Sequence, residues 1–264
     1  MQAELTDAST HFAFGKNWAA YSQIIDADRI ARSDADLAKL LPAAELRDKT
    51  VIDIGCGSGL PALSMLRSGA AHVTCVDIDP NSVNTAKQVL TKLAPRPDWT
   101  ANVESVFDLT GAYDVVYSWG VLHHTGDMWR AIDKAAGLVK PGGTFVLAIY
   151  GKGKLCEFWK KEKRFYSRAP RVVQQLMLMA YTALHAVWYT AKGKSLRKEM
   201  GEFRERGMSW KYDAHDWLGG YPYESATPQE IEAFLTKRGF AQTWSNTIRP
   251  NLKSGCDEYR FRRI

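Results

Sequence analysis

The chain has 264 residues, of which 45% are hydrophobic and 24% charged, with 20 Gly and 10 Pro. That length suits one large domain or a domain with an elaboration, and the composition excludes collagen-like, disordered and disulfide-stapled classes. The formal charge of +6, from 35 Lys and Arg against 29 Asp and Glu, is compatible with an acidic partner without requiring one. Cys56, Cys75, Cys156 and Cys256 are far apart and form no CxxC pair. Neither metal spacing nor a disulfide framework is indicated, so reduced thiols are expected. Met1 to Thr10 is polar and lacks the apolar stretch of a secretory signal, which gives the expectation of a cytoplasmic protein.

Residues 1–48 read as an amino-terminal helical cap, with Ile30, Leu37, Leu40 and Leu41 at near-helical spacing and Pro42 as the stop. Strand and helix then alternate across 49–150. Val51–Ile54 is an apolar strand ending in a glycine-rich turn, followed by a helix over Pro61–Ser68 and a second strand over His72–Val76. Asp79-Pro80 is a cap with proline at the first helical position, opening a helix to Leu93. Strands are expected at Thr100–Val103 and Asp114–Ser118, and a helix over Trp129–Val139. A Lys140-Pro141-Gly142-Gly143 turn and a fifth strand at Thr144–Ile149 follow. This rhythm argues for a parallel sheet covered on both faces.

The rhythm breaks over 151–224. Residues 151–206 hold 14 Lys and Arg against 5 Asp and Glu, a net +9 that leaves the rest of the chain at −3. The basicity therefore belongs to one helical insertion, where an acidic partner or lipid surface should be sought. Val172 to Ala191 is uncharged and long enough to span a bilayer. It carries Gln174, Gln175, Thr182, His185 and Thr190, which lipid would leave unsatisfied, so a buried or interfacial helix is expected. The run with Lys160, Lys161, Lys163, Arg164, Arg168 and Arg171 reads as a lid or a dimer contact ahead of an interfacial anchor near anionic lipid, so no membrane contact through 160–191 is expected. Residues 207–224 read as an aromatic loop. In the last stretch, 225–264, Thr227 and Glu230 form a capping box around a helix to Arg238, and Gln242–Ile248 with Glu258–Arg262 would close the sheet as a hairpin.

Asp53-Ile54-Gly55-Cys56-Gly57-Ser58-Gly59 lies where the first strand meets the first helix. Leu60 stands where a dinucleotide fingerprint needs its third glycine. Asp53 would repel a pyrophosphate but attract a ligand bearing an ammonium. The chain here resembles the class I S-adenosylmethionine-dependent methyltransferases, over roughly residues 50–149 and in five motifs: this turn, Val76-Asp77-Ile78-Asp79, Glu104-Ser105-Val106, Tyr113 to Trp119, and Val139-Lys140-Pro141-Gly142-Gly143. The resemblance implies a Rossmann-like, seven-stranded, mostly parallel α/β sheet with helices on both faces and a helical insertion after strand five. It also implies the cofactor S-adenosylmethionine, with S-adenosylhomocysteine as product, held by Asp53, Gly55, Cys56, Gly57, Gly59, Asp77, Ile78, Ser105, Val106, Ser118 and Trp119. In that family Asp77 would accept the ribose hydroxyls, Ile78 would pack on the adenine, and Ser105 stands where Asp is frequent.

Methyl transfer needs an in-line nucleophile, exclusion of water and, for a hydroxyl, a proton acceptor. No metal is required. His123 and His124 follow the fourth strand at its carboxyl end and are the candidate bases, with His123 slightly preferred. Either could instead be helix support, and Asp127 reads as a cap. Acceptor contacts are expected from Tyr150 and from Trp210, Tyr212, Asp213, His215, Asp216, Trp217, Tyr221 and Tyr223. Aromatic faces interleaved with carboxylates suit sugars or other polar rings. A resembling group of bacterial small-molecule methyltransferases carries a similar Asp-Trp, Gly-Gly-Tyr-Pro stretch. Trp18, with Lys16, Asn17 and Tyr21, would cover the pocket from the amino-terminal side. The expected activity is O-methylation of a small polar acceptor by a monomer or homodimer. The alternatives are N-methylation of a small molecule, methylation of RNA along the basic insertion, and a non-catalytic cofactor-binding protein.

Overall fold

The computed structural model describes residues 18, 22, 25–196, 210–247 and 255–264, without the side chains of 210–213 and 216. Helix α1 (Ala27–Leu40) is capped by Asp26, whose carboxylate accepts the Arg29 amide at 2.9 Å, and it buries Leu37 and Leu40. After the short α2 (Ala43–Leu46) come β1 (Thr50–Ile54), α3 (Leu60–Arg67), β2 (His72–Asp77) and α4 (Pro80–Leu93). Then follow β3 (Trp99–Val103), β4 (Tyr113–Trp119), α5 (Met128–Gly137) and β5 (Val139–Tyr150). The insertion holds α6 (Cys156–Arg168), α7 (Arg171–Ala191) and α8 (Trp210–Gly219). α9 (Pro228–Thr236), β6 (Phe240–Asn246) and β7 (Cys256–Arg263) complete the order.

Seven strands form one sheet in the order β3-β2-β1-β4-β5-β7-β6. β1 to β5 are parallel, and β7 runs antiparallel to both β5 and β6. The chain winds outward from β1 through β2 to β3, then returns to lay β4 on the other side of β1. That reversal opens a crevice at the carboxyl ends of β1 and β4, where open α/β sheets bind ligands. One core, with Val51, Leu63, Val73 and Val83, joins the sheet to α1, α3 and α4. The other, with Ile52, Val116, Ile132, Phe145 and Ile231, joins its opposite face to α5 and α9. At the far edge, Asp114 accepts the Thr50 amide at 2.9 Å, the Thr50 hydroxyl at 2.7 Å and the Lys140 ammonium at 3.1 Å, tying the starts of β1, β4 and β5.

Three expectations need correction. Val139 to Gly143, read in part as a turn, is the irregular start of β5, where the pairing with β4 shifts register between Tyr113 and Val115. Residues 207–224 are not all loop: Trp210–Gly219 is helix α8, because no glycine or proline interrupts Trp210 to Leu218 and Gly219-Gly220 then ends it. Asp127 occupies the cap position of α5 but makes no side-chain cap bond; Glu224 reaches in from the segment after α8 and accepts the Met128 amide at 2.9 Å. The capping box at Thr227 and Glu230 forms as expected. Among the described residues no helix is long and apolar enough to cross a membrane.

Candidate active site

The glycine turn after β1 works through three left-handed residues, Gly55, Gly57 and Gly59, with φ of 78°, 51° and 75°. Their missing side chains serve three different contacts. A Cβ on Gly55 would lie 2.3 Å from a Val121 methyl, on Gly57 2.9 Å from the Trp18 ring, and on Gly59 2.9 Å from Ala86 in α4. The turn is thus pressed by the loop after β4, by Trp18 and by a helix at once. Asp53 is buried at its start. Asp77, at the end of β2, accepts the Gly57 amide at 3.1 Å and the Asp79 amide at 2.9 Å. Burial pushes its carboxyl up to about 6 despite those bonds. Ile78, beside it, is exposed on the rim.

These features fit S-adenosylmethionine. The buried carboxylate of Asp53 opens the glycine turn and that of Asp77 accepts an amide from it, giving one acidic group for a cationic centre and one for a pair of hydroxyls. Other expected cofactor residues serve the frame. The Cys56 thiol turns into the core beside Cys75, whose hydrogen bond and surrounding burial raise its pKa, so only its backbone lines the turn. Ser118 is fully buried and donates to the Ile54 carbonyl at 3.1 Å. The Trp119 indole reaches across β5 and donates to Glu258 at 2.7 Å. The Ser105 hydroxyl accepts the Phe107 amide at 3.3 Å, closing a turn, and Val106 is buried behind it.

Val121, seated on Gly55, docks the single 3₁₀ turn Leu122–His124 against the cradle. His123 is fully buried, and its Nδ1 accepts the Tyr150 amide at 3.4 Å, so in the neutral ring the proton resides on Nε2. Burial, then the neighbouring His124 and Lys163, hold its pKa well below the usual histidine range. The half-buried His124 is bound through Nδ1 to the Pro222 carbonyl at 2.7 Å. A carbonyl only accepts, so Nδ1 bears that proton and the neutral ring keeps its lone pair on Nε2. Tyr150, at the end of β5, lies 3.9 Å from the His123 ring, 5.3 Å and edge-on from His124, 5.2 Å from Tyr223 and 5.5 Å from Trp217. Of the expected acceptor residues, Tyr150, Trp217 and Tyr223 therefore join the two histidines in one aromatic group.

The others are placed differently. His215 bonds through Nδ1 to the Tyr166 hydroxyl at 2.7 Å and fastens α8 to α6. Tyr221 is buried just before Pro222. Trp18 covers Gly57, on the cofactor side. The side chains of Trp210, Tyr212, Asp213 and Asp216, and residues Lys16, Asn17 and Tyr21, lie outside the described residues.

Lys163 is a member the sequence reading missed. Fully buried in the insertion, it donates to the Trp217 carbonyl and holds its ammonium 3.8 Å over the Trp217 ring and 5.6 Å from that of Tyr223. Burial draws its pKa down to about 7. Its neighbour Glu162 has both carboxylate oxygens buried without a hydrogen-bond partner, and burial pushes that group up to about 7. The missed signal was phase: Trp159, Lys163 and Tyr166 recur at i, i+4 and i+7, which turns that one lysine of the basic run onto the apolar face of α6.

A family model described as a methyltransferase domain matches residues 25–243. A ubiquinone biosynthesis O-methyltransferase from Xanthomonas euvesicatoria is 37% identical over 112 residues, covering 41% of this chain and 46% of the relative. The match thus spans about half the length of that curated relative. Among solved structures, a magnesium protoporphyrin IX methyltransferase from Synechocystis with bound SAH superposes with a TM-score of 0.56 at 18% identity, over 89% of this chain and 83% of that one. The N-methyltransferase NodS from Bradyrhizobium japonicum, in complex with SAH, gives 0.52 at 14% identity, over 87% and 85%. At those identities the two structures share the fold with this chain.

Proposed function

The chain belongs to the methyltransferase-domain family, and we propose that it moves the methyl group of S-adenosylmethionine to an oxygen of a small, polar, cyclic acceptor. The observation that carries the reading is the cradle itself: three left-handed glycines at the β1 edge between the carboxylates of Asp53 and Asp77. When bound, the cofactor supplies an already electrophilic methyl on a sulfonium. The chain's own contribution is then position, dryness and one proton acceptor. Asp53 would face the cationic end and Asp77 the ribose hydroxyls, with Ile78 against the base.

On the acceptor side, the half-buried Tyr150 and Trp217, backed by the buried Tyr223, would meet the ring of the acceptor. His124 is the residue we assign as base, because the Pro222 carbonyl fixes its tautomer with the lone pair on Nε2. His123, already protonated on Nε2 and sealed from water, positions Tyr150 and the turn. The preference between the histidines is therefore the reverse of the sequence expectation. Transfer to oxygen is supported by the Xanthomonas relative, a ubiquinone biosynthesis O-methyltransferase 37% identical over 112 residues.

Isothermal calorimetry with S-adenosylhomocysteine and, separately, NADH tests the cofactor. Binding of the first alone is expected, and binding of NADH alone would overturn the reading. Methyl transfer from labelled cofactor to a panel of catechols, phenols, sugars and amines then tests the acceptor, with label expected on a ring hydroxyl.

A further inference from the structure

We propose that the outer faces of α6 and α7 form a docking surface for an anionic lipid bilayer, on which the chain lies without spanning it. On α7, Val172, Leu176, Met179, Leu184 and Val187 are each 60–71% exposed. They recur along one side of a helix that carries no charged side chain after Arg171. The opposite side is committed to protein: Gln174 donates to the Tyr166 carbonyl, and Tyr189 is buried with Ala214 of α8. Single exposed apolar residues are ordinary on a protein surface; a stripe of them over about four turns is not.

The neighbouring α6 shows what covers that stripe. Phe158, Lys161, Phe165 and Arg168 fall at i, i+3, i+7 and i+10, alternating aromatic and cationic groups along one exposed face. Between 152 and 171 seven Lys and Arg are exposed, of which Lys152 pairs with Glu230, while Glu157 is the one exposed carboxylate. Apolar side chains flanked by cations match the acyl boundary and the headgroups of an anionic membrane. A second copy matches poorly. A two-fold interface would set this patch against itself and gather the cations of both copies of α6 into one contact. The surface is separate from the cofactor cradle, so this inference and the proposed chemistry can fail independently.

The test is sedimentation of the full chain with vesicles of phosphatidylcholine alone and of phosphatidylcholine mixed with phosphatidylglycerol. Partitioning into the anionic vesicles is expected to be at least roughly tenfold stronger, and to fall steeply when NaCl is raised to about 0.5 M. Leu176→Ser with Met179→Ser should weaken binding roughly tenfold, and so should Lys161→Glu with Arg168→Glu. Val172→Ser with Val187→Ser is a second apolar pair should the first disturb folding. Lys87→Glu with Lys92→Glu, exposed cations on α4, should leave binding unchanged. S-adenosylhomocysteine affinity should be the same in every variant. Absence of binding, equal binding to neutral vesicles, or equal loss in the α4 variant would overturn the proposal. So would a solution mass of two chains that Leu176→Ser with Met179→Ser reduces to one.

Discussion

At the scale of single residues, the carboxylate of Asp77 connects structure to ligand most directly. Its pKa of about 6 lies above the usual aspartate range, and only the ionised form accepts both ribose hydroxyls. Cofactor affinity should therefore rise with pH through about 6 and fall between about pH 7 and 5. Calorimetric titration of S-adenosylhomocysteine across that window checks this. Asp77→Asn should bind roughly tenfold or more weakly and lose the pH dependence; a wild-type affinity flat across the window would remove Asp77 from the ribose. The two histidines should separate as cleanly. His124→Ala is expected to lower turnover about 10²-fold or more with cofactor affinity intact, whereas His123→Ala, which empties a fully buried site, should cost roughly 3 kcal/mol of stability. Chemical denaturation alongside kinetics distinguishes them. For Lys163, the folded pKa of about 7 lies below the unfolded value. The cost of burying its charge is complete below about pH 7 and fades as the pH rises toward 10. Wild type should thus gain stability relative to Lys163→Met over that range, and parallel stability curves for the two would contradict the assignment.

At the scale of elements, what could be read from the sequence divides by the range of the interaction. Asp79 and the Thr227–Glu230 box cap their helices through partners three residues away or fewer, so local chemistry announced them. The glycine turn was legible for the same reason, Asp53 and its three glycines being adjacent along the chain, whereas Asp77, 20 residues from Gly57, was placed by the family resemblance. The cap of α5 was not legible, because Glu224 lies 96 residues from Met128. Helix α8 was hidden by a sequence whose aromatic and charged residues give no clean apolar stripe, and Lys163 by a basic run in which only three-dimensional phase singles it out. The α5 cap yields a sharp comparison. Glu224→Ala should destabilise by about 1–2 kcal/mol, since the amide it satisfies is at a helix start. Asp127→Ala, which removes no cap bond, should change stability by less than about 0.5 kcal/mol. Equal losses in denaturant would mean that Asp127 caps the helix after all. Glu224 also donates its own amide to the His123 carbonyl at 3.0 Å, so this one residue holds the segment after α8 against the turn carrying both histidines.

At the scale of the whole molecule, the two parts of the chain are built to different standards of burial. Strands β1, β4 and β5 lie between two large cores and carry side chains such as Ile52, Val116 and Phe145 with no exposed surface. Helix α7, at 21 residues, buries Tyr189 and otherwise leaves its length half-covered or exposed. Among the described residues its buried cluster with α8 holds Tyr189 and Ala214, with Leu178 and Tyr181 packed partly buried against them. Local opening is cheapest where few apolar contacts must be broken, so α7 should open in a smaller unit than the sheet. Native-state hydrogen exchange should find the α7 amides exchanging well ahead of those in β1, β4 and β5. S-adenosylhomocysteine should slow the glycine turn and the strand ends while leaving the outer face of α7 little changed, because the cradle and that face share no residue. Anionic vesicles should do the opposite and protect α7. If α7 exchanges as slowly as the central strands without any ligand, the insertion is part of the same cooperative unit as the sheet. Its exposed face would then be rigid before any surface is met.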